Sequence, residues 1–289
     1  MIRSSTSVNS IVMRRILTMF EFSYENIEKS INVLELDLTV DELAMVAEAN
    51  SMTSEQMSAF DILLEHLRKK KIQTTIDTLL RFSRLPSKNP KTFDNFDFSV
   101  VKSRDIDKLK SLPSLTAIHA HKNLAFIGPA GIGKTHLAQA FGYECCQQGL
   151  KAYFIKMSEL RDRFTAARRN NRESSVINGL VRPSCLIIDE VGRCTFDKEN
   201  TRLFFDLIDR RYNKEGSFNT IFTSNKNPLQ WKEFFEEDDT TLCALDRIFD
   251  DATIFRMRGE SYRGRKLDKV VIQVGKQALQ DTPAEIVTD

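Results

Sequence analysis

The chain reads as an α/β protein built on a parallel sheet with helices packed against it, and three observations predict this. An apolar run at residues 124–127 empties into a glycine-spaced loop and then a helical pattern at Leu137, Ala138 and Phe141. Beyond it, strand-like and helix-like stretches alternate, the order that yields parallel pairing. Finally, Leu186-Ile187-Ile188 runs straight into Asp189-Glu190. That brings two carboxylates to the C-terminal edge of a strand, where open α/β sheets take ligands.

At 289 residues the chain can bury one substantial core and carry a smaller appendage. Hydrophobic content of 41% and charged content of 28% are ordinary for a globular protein. A net charge of +2 makes no case for nucleic acid, so any such case must be local. The five cysteines form no C-x-x-C pair and are expected to be bystander thiols in a reducing, cytoplasmic setting. No stretch approaches the apolar length of a membrane span.

In chain order, residues 1–20 lack any acidic residue, with Ile11, Val12, Ile16 and Leu17 able to share a helical face. The composition overlaps with a transit peptide. A disordered leader or a start upstream of the natural one is the expectation. Residues 21–86 read as a helical domain for partner or DNA binding. Leu43, Val46 and Ala47 take helical spacing, and Thr53 or Ser54 can cap the next helix. Phe60, Leu63, Leu64 and Leu67 fall at i, i+3, i+4 and i+7, which predicts one buried stripe. Arg68-Lys69-Lys70-Lys71 closes that segment, either as a solvated helix end or as a phosphate-contacting surface. Ile72, Ile76, Leu79 and Leu80 then repeat the pattern.

Residues 87–122 form a linker and lead-in helix. Their aromatic stretch, Phe93, Phe96 and Phe98, either lies along the core beside a bound base or simply docks a linker. Residues 123–270 are the expected nucleotide-handling core, with further strands at 151–155, 185–188, 220–223 and 252–255, the last beside the first. Leu203, Phe204, Leu207 and Ile208 give a helix its apolar face, with Asp206, Asp209, Arg210 and Arg211 expected outside. Residues 271–289 read as a polar tail.

The loop Gly128-Pro129-Ala130-Gly131-Ile132-Gly133-Lys134-Thr135-His136 is G-x-x-x-x-G-K-T in the strand–loop–helix context that motif requires. Its backbone N–H groups and the following helix dipole suit a phosphate chain. Lys134 then reaches the β- and γ-phosphates, while the Thr135 hydroxyl and Asp189 hold Mg²⁺. Glu190, with no metal role to fill, is the candidate general base for an attacking water. Asn225, ending the apolar strand Ile221-Phe222-Thr223-Ser224, is expected beside Asp189 and Glu190 as a sensor of the γ-phosphate, or else is a turn residue. Arg247 precedes the last strand. It either reaches a neighbouring subunit's γ-phosphate or pairs locally with Asp250 or Asp251. Arg263 follows that strand and can contact its own subunit's nucleotide.

Taken together these residues resemble the AAA+ ATPases, and more narrowly the IstB-like helper proteins of IS21-type transposition, a group similar to the DnaC helicase loader. The resemblance rests on 90–98, 126–138, 186–192, Thr223-Ser224-Asn225, Asp246-Arg247-Ile248 and Gly259-Glu260-Ser261-Tyr262-Arg263. It implies a five-stranded AAA+ core without a full lid domain. It also implies ATP as nucleotide, homo-oligomers wrapped on duplex DNA, and a transposase partner, or a replicative helicase if the chain is a loader. Arg247 maps to the intersubunit finger and Arg263 to the second sensor position.

Residues 157–172 carry a stripe of Leu160, Phe164 and Ala167. Arg161, Arg168 and Arg172 line an adjacent face, with Arg163 and Arg169 nearby. Such a face is either solvated or makes phosphate contacts with little sequence preference. Two rival classes remain, a P-loop small-molecule kinase and a nucleotide switch that binds without hydrolysing. The first must exclude water, which Glu190 beside Asp189 argues against.

Overall fold

A computed structural model describes residues 24–102, 106–236, 240–259 and 261. The leader, the tail and Arg263 therefore lie outside the described residues. The first three helices are α1 (Tyr24–Leu34), α2 (Val40–Ala49) and α3 (Ser54–Ser83). Capping boxes open α2 at Thr39–Glu42 and α3 at Thr53–Gln56. Each satisfies backbone donors that a helix start leaves orphaned. Their shared core is small: Ile27, Ile31, Leu43, Ala47, Met57 and Leu64.

Two expectations for this region are corrected. The basic run at 68–71 does not close a segment, since α3 continues through it as one helix of 30 residues. Lys and Arg are good helix formers, and Lys69 pairs with Glu65 one turn back. The predicted stripe is also narrower than its spacing implied. Leu64 is 4% exposed, but Leu63 is 53% and Leu67 41% exposed, because α1 and α2 cover only the side of α3 that carries Met57 and Leu64. Further along, Leu79, Leu80 and Leu85 pack on the main core.

That core is a sheet which, among the described residues, has five parallel strands in the order β2-β3-β4-β1-β5. The strands are β1 (Leu124–Ile127), β2 (Ala152–Lys156), β3 (Cys185–Val191), β4 (Asn219–Ser224) and β5 (Thr253–Arg256). Side chains alternate across it, as strand geometry requires. Leu124, Phe126, Ile187 and Ile221 face one layer; Ala125, Ile127, Leu186, Ile188 and Phe222 face the other. The first layer is closed by two short lead-in helices, α4 (Ile106–Lys110) and α5 (Thr116–His119), and by α6 (Lys134–Gln147). The second is closed by α7 (Met157–Arg169), α8 (Glu173–Val181), α9 (Lys198–Tyr212) and α10 (Thr240–Phe249).

Three further differences have physical causes. The helix expected through residue 172 ends at Arg169, and after a turn with Asn171 at φ 49° a separate α8 begins. A 3₁₀ helix, Pro228–Phe234, occupies the stretch after β4 and is started by a capping box of Asn227 and Gln230. It seats Trp231 fully in the core. Arg211, expected outside, is 2% exposed. Its guanidinium donates to the carbonyls of Leu180, Val181, Pro183, Ser184 and Asn219 and to the Thr220 hydroxyl, tying the end of α8 to the starts of β3 and β4. Five carbonyl oxygens compensate the cation that periodicity had assigned to solvent. Burial nonetheless pushes its pKa down to about 10.

Candidate functional site

β1 delivers the chain to the glycine-spaced loop at the C-terminal edge of the sheet, and α6 starts at Lys134. The loop needs left-handed backbone at Gly131 (φ 79°) and Gly133 (φ 95°). Space demands glycine at both as well. A side chain at Gly131 would run into the Ser261 hydroxyl, and a Cβ at Gly133 would sit 2.6 Å from the Phe96 ring. Gly128 passes beneath the Met257 carbonyl in the same way. Pro129 and Ala130 form the exposed tip, while Ile132, 1% exposed, anchors the loop in the core.

The aromatic segment lies against this loop. Phe96 meets the edges of Phe98 at 4.8 Å and His136 at 5.1 Å. His136 turns toward the main chain of that segment, its Nε2 2.9 Å from the Thr92 carbonyl. Burial pushes the imidazole pKa down.

Lys134 is 7% exposed, and its ammonium donates to the carbonyls of Gly128 (2.8 Å) and Pro129 (2.7 Å) and to Asn225 Oδ1 (2.7 Å). One residue on, Thr135 Oγ1 donates to Asp189 Oδ1 at 2.8 Å. The hydroxyl and carboxylate expected to share a metal ion therefore already face each other. Both are hard oxygen donors of the kind Mg²⁺ takes. Among the described residues no cluster of three or more acidic, His or Cys side chains could hold an ion alone. Any ion here would complete its shell with phosphate and water oxygens.

β3 carries Asp189 to this point, and a β-bulge there displaces the next residue. Ile188 pairs with Phe222 and Val191 with Ser224, so Asp189 and Glu190 together oppose Thr223. Glu190 takes the extra place with φ 60°, a conformation costing a non-glycine residue about 1 kcal/mol or more. Thr223 holds the bulge together. Its hydroxyl donates to Asp189 Oδ1 and accepts the Glu190 N–H at 3.0 Å. Asn225 was expected beside the two carboxylates. Thr223 touches both, and Asn225, two residues on, accepts from the Lys134 ammonium.

The Glu190 carboxylate meets two cations. Arg193 lies 2.6 Å from Oε1, and Lys156, from the end of β2, lies 3.7 Å from Oε2. Sequence reasoning missed Thr223, Arg193 and Lys156 as parts of the site. Gly192 between Glu190 and Arg193 was the available turn signal for one of them.

The remaining candidates are dispersed. Arg247 lies at the opposite end of the sheet from its own phosphate loop: Asn123, which precedes β1, donates to the Ile248 carbonyl at 3.0 Å. It pairs with Asp209 at 3.2 Å, not with Asp250 or Asp251, which are engaged by Tyr212 and Lys122. Arg161 is paired with Asp162 at 2.8 Å, and Arg168 with Asp197 at 3.1 Å. Arg169 and Arg172 are exposed, at the end of α7 and the start of α8. A cleft of about 1040 Å³ runs beside them, lined by Arg168, Arg169 and Arg202 but also by Glu173, Asp197 and Asp206.

The family model of the IstB-like ATP binding protein matches residues 29–270. The chain belongs to the IstB-like ATP-binding family. Among its relatives is the ATP-binding protein of insertion sequence IS5376 from Geobacillus stearothermophilus, 34% identical over 84% of this chain and 95% of that one. The ATP-binding protein of IS232 from Bacillus thuringiensis is 35% identical over 66% of this chain and 74% of the relative. A solved primosome component from Streptococcus pyogenes is 18% identical, with a TM-score of 0.50 over 66% of this chain and 99% of that chain. With that structure this IstB-like protein shares its fold, a parallel sheet with helices on both faces. Among its described residues, no helix is long and apolar enough to cross a membrane.

Proposed function

We propose that this IstB-like protein is a cytoplasmic ATPase that assembles into homo-oligomers on duplex DNA and regulates a transposase, with hydrolysis resetting the assembly. The observation that carries the reading is the Thr135–Asp189–Thr223 bridge, with Glu190 held next to it by the bulge. In the proposed reaction Lys134 leaves the loop carbonyls for the β- and γ-phosphates, and Asn225, bonded to the same ammonium, senses the γ-phosphate. Thr135 and Asp189 would hold Mg²⁺, which when bound would supply positive charge to offset that of the phosphates. Glu190 takes the proton of the attacking water.

The position of Arg247 supports action in trans. It is separated from its own loop by the length of β1, so a neighbour's γ-phosphate is the one it can reach. Arg263 is assigned the second sensor role on family grounds alone. For DNA, Arg169 and Arg172 are the stronger candidates, because Arg161 and Arg168 are already paired with carboxylates. Backbone contacts of this kind carry little sequence preference. The transposase assignment follows from relatives that are named for insertion sequences.

Phosphate release from ATP, measured with and without duplex DNA, tests the reading. Wild type should turn over and Glu190→Gln should bind ATP but stall; equal rates for the two would refute it. Pull-down with the full chain should recover a transposase, and recovery of a replicative helicase instead would make the chain a loader.

A further inference from the structure

We propose that Leu229 is an intersubunit knob. In the assembly it fills a cavity beside Arg247 of the next copy and so sets the register in which that arginine meets a nucleotide. The inference rests on the reading of homo-oligomers with Arg247 acting in trans.

The knob is built to point outward. Leu229 is 82% exposed, a position that water disfavours for so large an apolar side chain. Its backbone has little freedom to hide it. Pro228 fixes the first residue of the 3₁₀ helix, and Asn227 and Gln230 close its capping box. Two residues on, Trp231 is fully buried against the rings of Phe222 and Phe249. The segment also stands at the rim of the candidate site, since Asn225, just ahead of it, accepts from the Lys134 ammonium at 2.7 Å.

The hole lies at the other end of the sheet. A cavity of about 120 Å³ sits between α9 and the starts of β1 and β4, with Ile208, Tyr212, Phe218 and Arg247 on its wall. It approaches the roughly 150 Å³ of apolar cavities that hold a small hydrocarbon. The polar groups that share the wall are already bonded. Asn123 accepts the Thr220 N–H and donates to the Ile248 carbonyl, Arg211 donates to its carbonyls, and the Tyr212 hydroxyl donates to Asp250. What remains to be covered is apolar. Tyr212 is 48% exposed and the Arg247 side chain 41%, so the rim of the cavity reaches the surface.

Knob and hole thus stand at opposite ends of the strands, with β4 running from one to the other. A contact between them is head-to-tail, of the kind that builds rings and helical filaments rather than closed pairs. The same polarity carries Arg247, which lines the hole, toward the neighbour's Lys134 and Asn225, which adjoin the knob. Charge agrees with it. Lys226 and Lys232 are exposed beside Leu229, while Asp250 lines the cavity and Asp209 pairs with Arg247 on its wall.

Sedimentation of the full chain with duplex DNA and a non-hydrolysable ATP analogue tests the knob. Leu229→Ala should need about tenfold more protein to assemble, the effect of ~1.4 kcal/mol per contact, and Leu229→Met should stay near wild type. Thermal unfolding and analogue affinity of dilute subunits should not move. A cross-link tests the hole. Leu229→Cys and Tyr212→Cys, mixed with analogue and DNA and oxidised with copper phenanthroline, should give a covalent dimer that neither gives alone. Wild type, which carries the native cysteines, is the control. Assembly of Leu229→Ala at the wild-type concentration would overturn the knob, and absence of the mixed dimer would overturn the hole. Wild type that does not assemble would instead refute the assembly reading on which both rest.

Discussion

At the scale of single residues, the site turns on hydroxyls and cations that hold carboxylates in place. Thr223 is the plainest case, because one oxygen serves both Asp189 and the Glu190 N–H. Thr223→Val preserves shape, leaves the Glu190 N–H without its acceptor and takes from Asp189 Oδ1 one of its two hydroxyl donors, Thr135 remaining. It should cost about 1–3 kcal/mol in urea unfolding. If Glu190 is the base, turnover should also fall about tenfold or more while ATP affinity changes little, since a displacement of the base raises the barrier by over ~1.4 kcal/mol. Lys214 offers a test by pH. Its ammonium donates to the carbonyls of Arg182 and Pro183, while burial and the neighbouring Arg211 pull its pKa down to about 8. An unfolded lysine titrates near ~10.4, so the unfolded chain binds the extra proton between those values. Stability should therefore rise with pH across that window and be flat in this respect below it. Thermal melts of wild type and Lys214→Met should diverge in the wild type's favour only as the pH climbs from 8 toward 10.

Among elements, the phosphate loop is fixed by what crosses it: Phe96 from the lead-in segment, and Met257 and Ser261 after β5. Gly133→Ala should thus cost more than its left-handed backbone alone. Gly149 supplies the comparison, with φ 78° and open space where a Cβ would go, nothing lying within 4 Å. Each alanine loses roughly 1 kcal/mol to the conformation. Chemical denaturation should show Gly133→Ala clearly the more damaging, with nucleotide binding weakened; equal losses would mean that Phe96 gives way freely. The amino-terminal helices make a second test. Leu64 is 4% exposed in a core of few residues, so Leu64→Ala should cost about 2–5 kcal/mol locally. Amide hydrogen exchange should then quicken in α1 and α2 while β1, β3 and β4 keep their protection.

For the molecule as a whole, what could be read from sequence was whatever local pattern decides. Glycine spacing ahead of Lys134-Thr135 and an apolar run ending in Asp189-Glu190 carry their own geometry, and the alternation of segments gives the sheet. Features set by contacts distant in sequence were not legible. Arg211 looked like surface because its compensating carbonyls come from a loop some thirty residues earlier. Leu63 and Leu67 looked like core because spacing says nothing of how wide a partner will cover them. The bond from the Lys134 ammonium to Asn225 joins residues 91 positions apart, which no local pattern announces.

Because Arg247 lies a strand's length from its own phosphate loop, each site in the proposed assembly takes cradle and base from one subunit and its arginine from the next. Mixing settles it most directly. Glu190→Gln and Arg247→Ala should each be nearly inactive alone. Combined on duplex DNA with ATP, they should regain turnover, because some Arg247→Ala subunits then hold an intact Glu190 facing an intact Arg247 from a Glu190→Gln neighbour. A mixture no more active than the sum of its two components would contradict the account.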